Sequence, residues 1–401
     1  MKILVLAWEF PPRIVGGIAR HVAELYPELV TLGHEVHLLT VACDSALGAV
    51  APTRELVDGI HVYRAPIYPD AGDFLHWIGH MNERMGYFGG EILLKEGAFD
   101  LIHAHDWLVG DAAIALQQHF NLPLITTVHA TEHGRNGGIY SDTQWQINVR
   151  ERELIHRSWR VIVCTQYMQQ EVSAIHRYSG NAIDVVANGI RAEKKRLQAD
   201  FDIPTFRRRY AEDDEKIFYY VGRITYEKGI SVLLNAAHRV LHQLKGKLVI
   251  IGGGNTDHLQ RQARMLGIAD RCVFTGFMSE EDLDRFQAIA DCAVFPSLYE
   301  PFGIVALESF AARVPLVVSD AGGLPEVVRH RETGIVTERG NVESLAQGIL
   351  DVLEHRVDTQ RLVQRAYAEL EGRFSWAKLA KQTEKSYEVV ATQYQQSSIA
   401  S

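Results

Sequence analysis

Short apolar runs, each closed by glycine, proline or a polar cluster, recur along this chain with amphipathic stretches between them. The first run is 3–7 (ILVLA). A loop over 9–17 follows, and residues 18–32 then place apolar side chains at helical spacing up to Gly33, which ends the helix. Residues 35–40 (EVHLLT) give the next strand. Further on, 100–107 predicts a strand running into a helix that continues to about His119, and 124–129 predicts another strand ending in a histidine. Runs at 161–164 and 183–186 complete this half. The pattern restarts at 216–221 (KIFYYV), with a loop over 222–229 and a helix over 230–244. Strands at 247–251, 273–278, 292–295 and around 317–319 follow, and 374–376 (FSW) opens a long amphipathic helix reaching about Tyr394. Apolar strands alternating with helices form parallel sheets covered on both faces. The expected class is α/β: two Rossmann-like, doubly wound domains facing each other across a cleft.

At 401 residues the chain exceeds one ordinary core. The restart of the pattern sets the domains at 1–190 and 191–374, with a terminal helix over 375–401. The charged segment 191–209, broken by Pro204, reads as the crossing between them. Its basic clusters, Lys194-Lys195-Arg196 and Arg207-Arg208-Arg209, read as solvated, with contact to a membrane surface as the alternative. A hydrophobic content of 47% with 23% charged residues describes a soluble globular protein. The net charge of -9 opposes general binding of nucleic acid, which needs a basic surface. No apolar stretch approaches the roughly 20 residues of a membrane span. Lys2 leads straight into the first strand and Glu9 follows soon after, which is unlike a secretory leader, so a cytoplasmic protein is expected. The four cysteines, Cys43, Cys164, Cys272 and Cys292, lack metal-ligand spacing and read as small core residues in a reducing compartment.

Chemistry concentrates in a few loops at strand ends. Residues 296–309 (PSLYEPFGIVALES) put Glu300 on a loop and Glu308 two turns on in a helix, so both carboxylates can face one pocket. Between them Phe302, Gly303, Ile304 and Val305 offer backbone N–H groups where a helix dipole favours phosphate. Phosphate donors flanked by hydroxyl-accepting carboxylates suit a nucleotide sugar; the alternative is a capped core helix with two solvated glutamates. The loop G-R-x-x-x-x-K-G supplies Arg223 and Lys228, cations able to stabilise a departing diphosphate most in the transition state. Gly16 and Gly17 precede a helix, allowing close approach of a ligand to the backbone. Gly252-Gly253-Gly254 begins a dinucleotide fingerprint but Asp257 stands where its third glycine belongs, so Gly254 marks a turn near a nucleotide rather than an NAD site. His103, His105, Asp106, His129 and His133 admit a metal reading, which no supporting ligand motif favours; a hydrogen-bonded core histidine is the other alternative for His129. Residues 131–145 read as a long irregular polar loop, a candidate acceptor loop carrying Arg135, Tyr140 and Trp145. Arg150, Arg152 and Arg157 on the following helix either meet a phosphorylated acceptor or solvate its face.

The sequence E-P-F-G-I-V-A-L-E resembles the Glu-x7-Glu motif of retaining GT-B glycosyltransferases, above all family 4 and the glycogen and starch synthases. The opening W-E-F-P-P-x-x-x-G-G, then H-D-W, T-V-H, G-R-x-x-x-x-K and A-G-G are similar to further family segments, and together they span most of the chain. The resemblance implies that Gly16 and Gly17 close over the donor diphosphate, and that Asp106 and His129 hold sugar hydroxyls, with the His129 region beneath the anomeric carbon. It assigns Arg223 and Lys228 to the diphosphate, Glu300 to the sugar, Glu308 to the ribose, and the strand end at Phe277 to the base. The last helix would cross back to the first domain. The implied activity is retaining transfer of a hexosyl group, most simply glucosyl from ADP- or UDP-glucose, to a hydroxyl acceptor such as an α-glucan. No further cofactor and no divalent metal are expected. A small sugar-phosphate acceptor, a nucleotide-sugar epimerase and a non-catalytic nucleotide-sugar sensor are the alternatives.

Overall fold

Ile3 and Val5 point into one apolar layer and Leu4 and Leu6 into another, so the first strand is buried on both faces. That burial is why its sequence shows no polar alternation. The computed structural model describes residues 1–42, 51–67, 72–194 and 200–400; Cys43 and the Lys195-Arg196 pair lie outside them. The chain divides into two compact units, Met1–Gly189 with Trp376–Ser401, and Ile190–Ser375.

In the first unit the order is β1 (Lys2–Leu6), α1 (Gly17–Thr31), β2 (Glu35–Val41), β3 (Arg54–Val57), β4 (Ile60–Ala65), α2 (Phe74–Lys95), β5 (Leu101–His105) and α3 (Gly110–Phe120). Then come β6 (Leu124–Val128), α4 (Glu132–Asn136), α5 (Asp142–Arg157), β7 (Arg160–Val163), α6 (Gln166–His176) and β8 (Ile183–Val185). The sheet order is β3-β4-β2-β1-β5-β6-β7-β8, parallel except for the β3–β4 hairpin. The order reverses between β1 and β5. Trp376, Leu379, Tyr387 and Val390 of the C-terminal helix pack with Leu25, Tyr26 and Leu29 of α1 over one sheet face, so that helix belongs to this unit.

The second unit runs α7 (Ile203–Arg207), β9 (Lys216–Val221), α8 (Ile230–Gln243), β10 (Gly246–Ile251), α9 (Asp257–Met265), β11 (Cys272–Gly276), α10 (Glu280–Gln287) and β12 (Cys292–Phe295). It continues through α11 (Ile304–Ala311), β13 (Leu316–Ser319), α12 (Leu324–Val327), β14 (Ile335–Thr337), α13 (Val342–Leu353) and α14 (Thr359–Arg373), before the terminal α15 (Trp376–Ala400). Its six parallel strands lie in the order β11-β10-β9-β12-β13-β14, reversing between β9 and β12. In such sheets a crevice opens where the order reverses, beyond the carboxyl ends of the strands.

Three expectations change. Residues 131–145 are not an irregular loop: α4 and the first turn of α5 occupy them. Thr131 Oγ1 accepts from Gly134 N–H (2.9 Å), and Ser141 with Gln144 forms a reciprocal capping box at α5. Pro204 does not break the 191–209 segment; it sits in the first turn of α7, where a missing N–H costs nothing, and Asp202 caps that turn. Arg207 is not solvated either, because its guanidinium donates to Glu215 O (2.6 Å) and Asp291 Oδ2 (3.0 Å).

Candidate active site

In the second unit, the loops that leave β9 and β12 meet at the reversal. Lys228 ends a 3-10 turn after β9, and its Nζ donates to Glu300 Oε2 at 2.7 Å, both side chains being largely buried. Ser297 Oγ donates to the same oxygen (3.3 Å). Backbone bonds lock the loops together: Leu298 and Tyr299 N–H both donate to Glu227 O, at 2.7 and 3.2 Å. Two glycines make the approach possible. A Cβ on Gly229 (φ 67°) would lie 2.1 Å from Pro296 O, and one on Gly322 (φ 57°) would lie 2.2 Å from Glu300 O. Gly323 N–H closes the ring of loops by donating to Glu300 O (2.8 Å).

Around this pair the other expected residues take distinct places. Arg223 is half-exposed, its guanidinium 3.4 Å from Glu227 Oε1. Tyr220 OH donates to Arg223 O (2.8 Å), fixing the turn after β9. Gly303 opens α11 at φ 100° without a side-chain cap, leaving its first amides to other acceptors, and Glu308 is buried on that helix. Phe302 is buried with its ring against Phe374 (centroids 6.1 Å), so only its main chain is available to a ligand. Gly254 follows β10 and packs on Ile224. Phe277, just beyond β11, is 82% exposed, at the end of a strand two places from β9 in the sheet.

In the first unit the loop after β1 folds over a buried acid. Glu9 Oε2 accepts from Val15 N–H (2.5 Å) and Gly16 N–H (2.8 Å), and burial outweighs these donors to raise the carboxyl above its usual pKa. The amide of Gly16, expected to meet a phosphate, is thus held by an acidic side chain of its own loop, while Gly17 begins α1. Nearby stand four imidazoles. His103 and His105 stack on β5 (4.5 Å), Tyr26 OH lies 2.9 Å from His103 Nδ1 and 2.7 Å from His105 Nε2, and His105 Nδ1 is 3.0 Å from His129 Nε2. His21 Nδ1 pairs with Asn188 Oδ1 (2.7 Å), and its ring meets that of His129 edge-on at 4.8 Å. Burial holds His21 and His129 down to about 3, so both are neutral near pH 7. Nitrogens of His21, His105 and His129 lie within 4.8 Å of one another.

Asp106 ties the end of β5 to the turn that follows β6. Its backbone (φ 62°, ψ 168°) occupies a region almost reserved for glycine, held there by its N–H on Thr127 O (2.9 Å) and by Oδ1 accepting from His129 N–H (2.7 Å). The carboxylate therefore positions His129. Burial pushes its pKa up to about 6. Glu151 on α5 acts likewise on the next turn of chain: Oε1 accepts from Glu132 N–H (2.8 Å), and Oε2 lies 3.7 Å from His176 Nε2. Burial lifts Glu151 to about 8. Asp106 and Glu151 both line a cavity of about 10 Å³, room for one water. Arg135 lies on α4, Tyr140 is exposed with its hydroxyl on Gly137 O (2.8 Å), and Arg150 on α5 is 3.5 Å from Asp111.

Sequence reasoning missed Glu9, Tyr26, Glu151 and Glu227. Glu9, an acid ahead of a Gly pair, and Glu227, beside Lys228 and four residues after Arg223, carried local signals; Tyr26 and Glu151 are brought in by long-range packing.

Residues 15–194 match Glycosyltransferase Family 4, and residues 202–369 match Glycosyl transferases group 1. An uncharacterised glycosyltransferase of Methanocaldococcus jannaschii is 37% identical over 97% of this chain and 98% of its own length. A glycogen synthase of Mycobacterium tuberculosis is 34% identical over 96% of this chain and 94% of that protein. Among solved structures, sucrose-phosphate synthase from Thermosynechococcus elongatus superposes with a TM-score of 0.81 at 23% identity, covering both chains completely. With two doubly wound units, each reversing its strand order once, this chain belongs to the family 4 glycosyltransferases and has the GT-B fold.

Proposed function

We propose that this protein is a retaining hexosyltransferase that moves a glucosyl group from a nucleoside diphosphate sugar to a hydroxyl of a glucan. The observation that carries the reading is the buried Lys228–Glu300 pair where the second sheet reverses. Lys228 and Arg223 stabilise the negative charge that collects on the diphosphate as the glycosidic bond breaks. Glu300 accepts from sugar hydroxyls and holds Lys228 in place, Glu308 accepts from the ribose, and the opening amides of α11 meet phosphate oxygens. His129, neutral and fixed through Asp106, hydrogen-bonds the sugar near its anomeric carbon.

Retention by double displacement needs a carboxylate nucleophile on the face opposite the leaving group. The buried acids beside the histidines are committed elsewhere: Glu9 to Val15 and Gly16, Asp106 to His129, Glu151 to Glu132. This favours a front-face route, in which the departing phosphate takes the proton of the acceptor hydroxyl. A screen of ADP-, UDP- and GDP-sugars for nucleoside diphosphate release, with and without maltooligosaccharide, tests the reading. Release from a glucosyl donor, stimulated by acceptor, is the expected result; release from none of them refutes it.

A further inference from the structure

The outward face of α5 is unlike that of an ordinary surface helix. Ile147, Glu151, Leu154 and Ile155 form its buried side. On the opposite side, where charged and polar residues belong, Trp145 and Val149 stand one helical turn apart, 61% and 38% exposed. They line a shallow groove of about 300 Å³ together with Gln146, Arg150 and Glu153 of the same helix and Asp111 from the first turn of α3. Arg150 Nε faces Asp111 Oδ2 across it at 3.5 Å.

We propose that this groove binds the glucan chain of the acceptor, seating a pyranose ring on the Trp145 indole. The inference rests on the reading above that the acceptor is a glucan. A pyranose has an apolar C–H face and a rim of hydroxyls. Those two properties call for one flat aromatic surface, a small apolar neighbour, and several donors and acceptors around them. Trp145 and Val149 supply the first two; Asp111, Glu153, Gln146 and Arg150 supply the rest. The Asp111–Arg150 pair presents an acceptor and a donor side by side, the arrangement that adjacent sugar hydroxyls satisfy as a pair. The volume stands at the lower end of small-ligand sites and fits a short saccharide segment rather than a protein surface. The location agrees with an acceptor. α3 begins just beyond β5 and Asp106, and α5 also carries Glu151, whose carboxyl holds the backbone that follows His129. One wall of the groove is therefore built on the helix whose Glu151 holds the backbone after His129, and the other on the helix that begins four residues beyond Asp106.

The test is binding of maltose through maltoheptaose to the full chain without donor, by calorimetry and indole fluorescence. The wild-type protein should bind the longer chains more tightly and quench on binding. Trp145→Ala should weaken maltoheptaose by about tenfold, the cost of one lost stacking contact, and Trp145→Phe should recover most of it. In turnover, Trp145→Ala should raise KM for maltoheptaose by a similar factor, with little change in kcat. Equal binding by wild type and Trp145→Ala overturns the proposal. So does absence of binding in wild type while the same preparation turns over donor, an outcome that leaves the transferase reading standing. A loss of self-association in Trp145→Ala, seen by sedimentation without loss of glucan binding, would assign the face to a second copy of the chain and also overturn it.

Discussion

Replacing Glu151 with Gln should stabilise the protein, and by an amount that grows with pH. Glu151 is buried, and burial raises its pKa from 4.5 to about 8. The folded state therefore holds a proton that the unfolded chain gives up. Stability from this group is complete below pH 4.5 and is lost progressively as pH rises towards 8. At pH 7 the group lies about 2.5 pH units above its unfolded pKa, and at about 1.36 kcal/mol per unit the penalty is about 3 kcal/mol. At pH 5 it is under about 1 kcal/mol. Gln keeps the oxygen that accepts from Glu132 N–H and cannot ionise. Its amide nitrogen takes the place of Oε2, 3.7 Å from His176 Nε2, and burial keeps that imidazole neutral over this pH range by lowering it to about 4. Asp106, lifted to about 6, acts in the same direction but is present in both proteins and cancels. The assay is urea unfolding of wild type and Glu151→Gln from pH 5 to 8, read as the difference between the two on the transition of the first unit. A difference that stays constant, or shrinks as pH rises, would refute the reasoning.

Lys228→Met should lower turnover roughly 10²–10³-fold, because it removes a cation from the leaving group and strands Glu300. Donor hydrolysis by this variant, by Glu300→Gln and by the double variant should be strongly non-additive, since the two residues act as a unit. Gly322→Ala should cost at least about 2 kcal/mol by thermal unfolding, because its Cβ meets Glu300 O at a left-handed backbone position; Gly372→Ala, with open space around it, should cost nothing. The pH–rate profile should fall as pH drops through about 6, where Asp106 takes a proton and loosens its hold on His129 N–H; Asp106→Asn should remove that limb.

Much of the fold was legible because both sheets, the β3–β4 hairpin apart, are parallel and buried on both faces. Their strands are short apolar runs ended by glycine or proline, as at 3–7 and 216–221, and the restart of that pattern marks the second unit. Segments whose cues are not apolar runs escaped. The β3–β4 hairpin carries charged residues on an edge strand, and α4 hides in a stretch where glycines outweigh the capping residues Thr131 and Ser141. Site residues were legible where chemistry and backbone freedom coincide, as in Lys228 before Gly229 and Glu300 before Gly303. They were illegible where a side chain serves the main chain. Which N–H groups Glu9 and Asp106 meet, Val15 and Gly16 for the first and His129 for the second, is set by folding and not by local sequence. The Tyr26–His105–His129 chain joins three elements far apart in sequence, and no local spacing announces it.

The central claim is transfer with retention at the anomeric carbon. The most direct measurement follows the reaction of an α-configured nucleoside diphosphate glucose with maltooligosaccharide by proton NMR, observing the new linkage as it forms. An anomeric proton with the small coupling of an α-glucoside should appear in step with released nucleoside diphosphate. A β-glucoside, with its large coupling, would contradict retention.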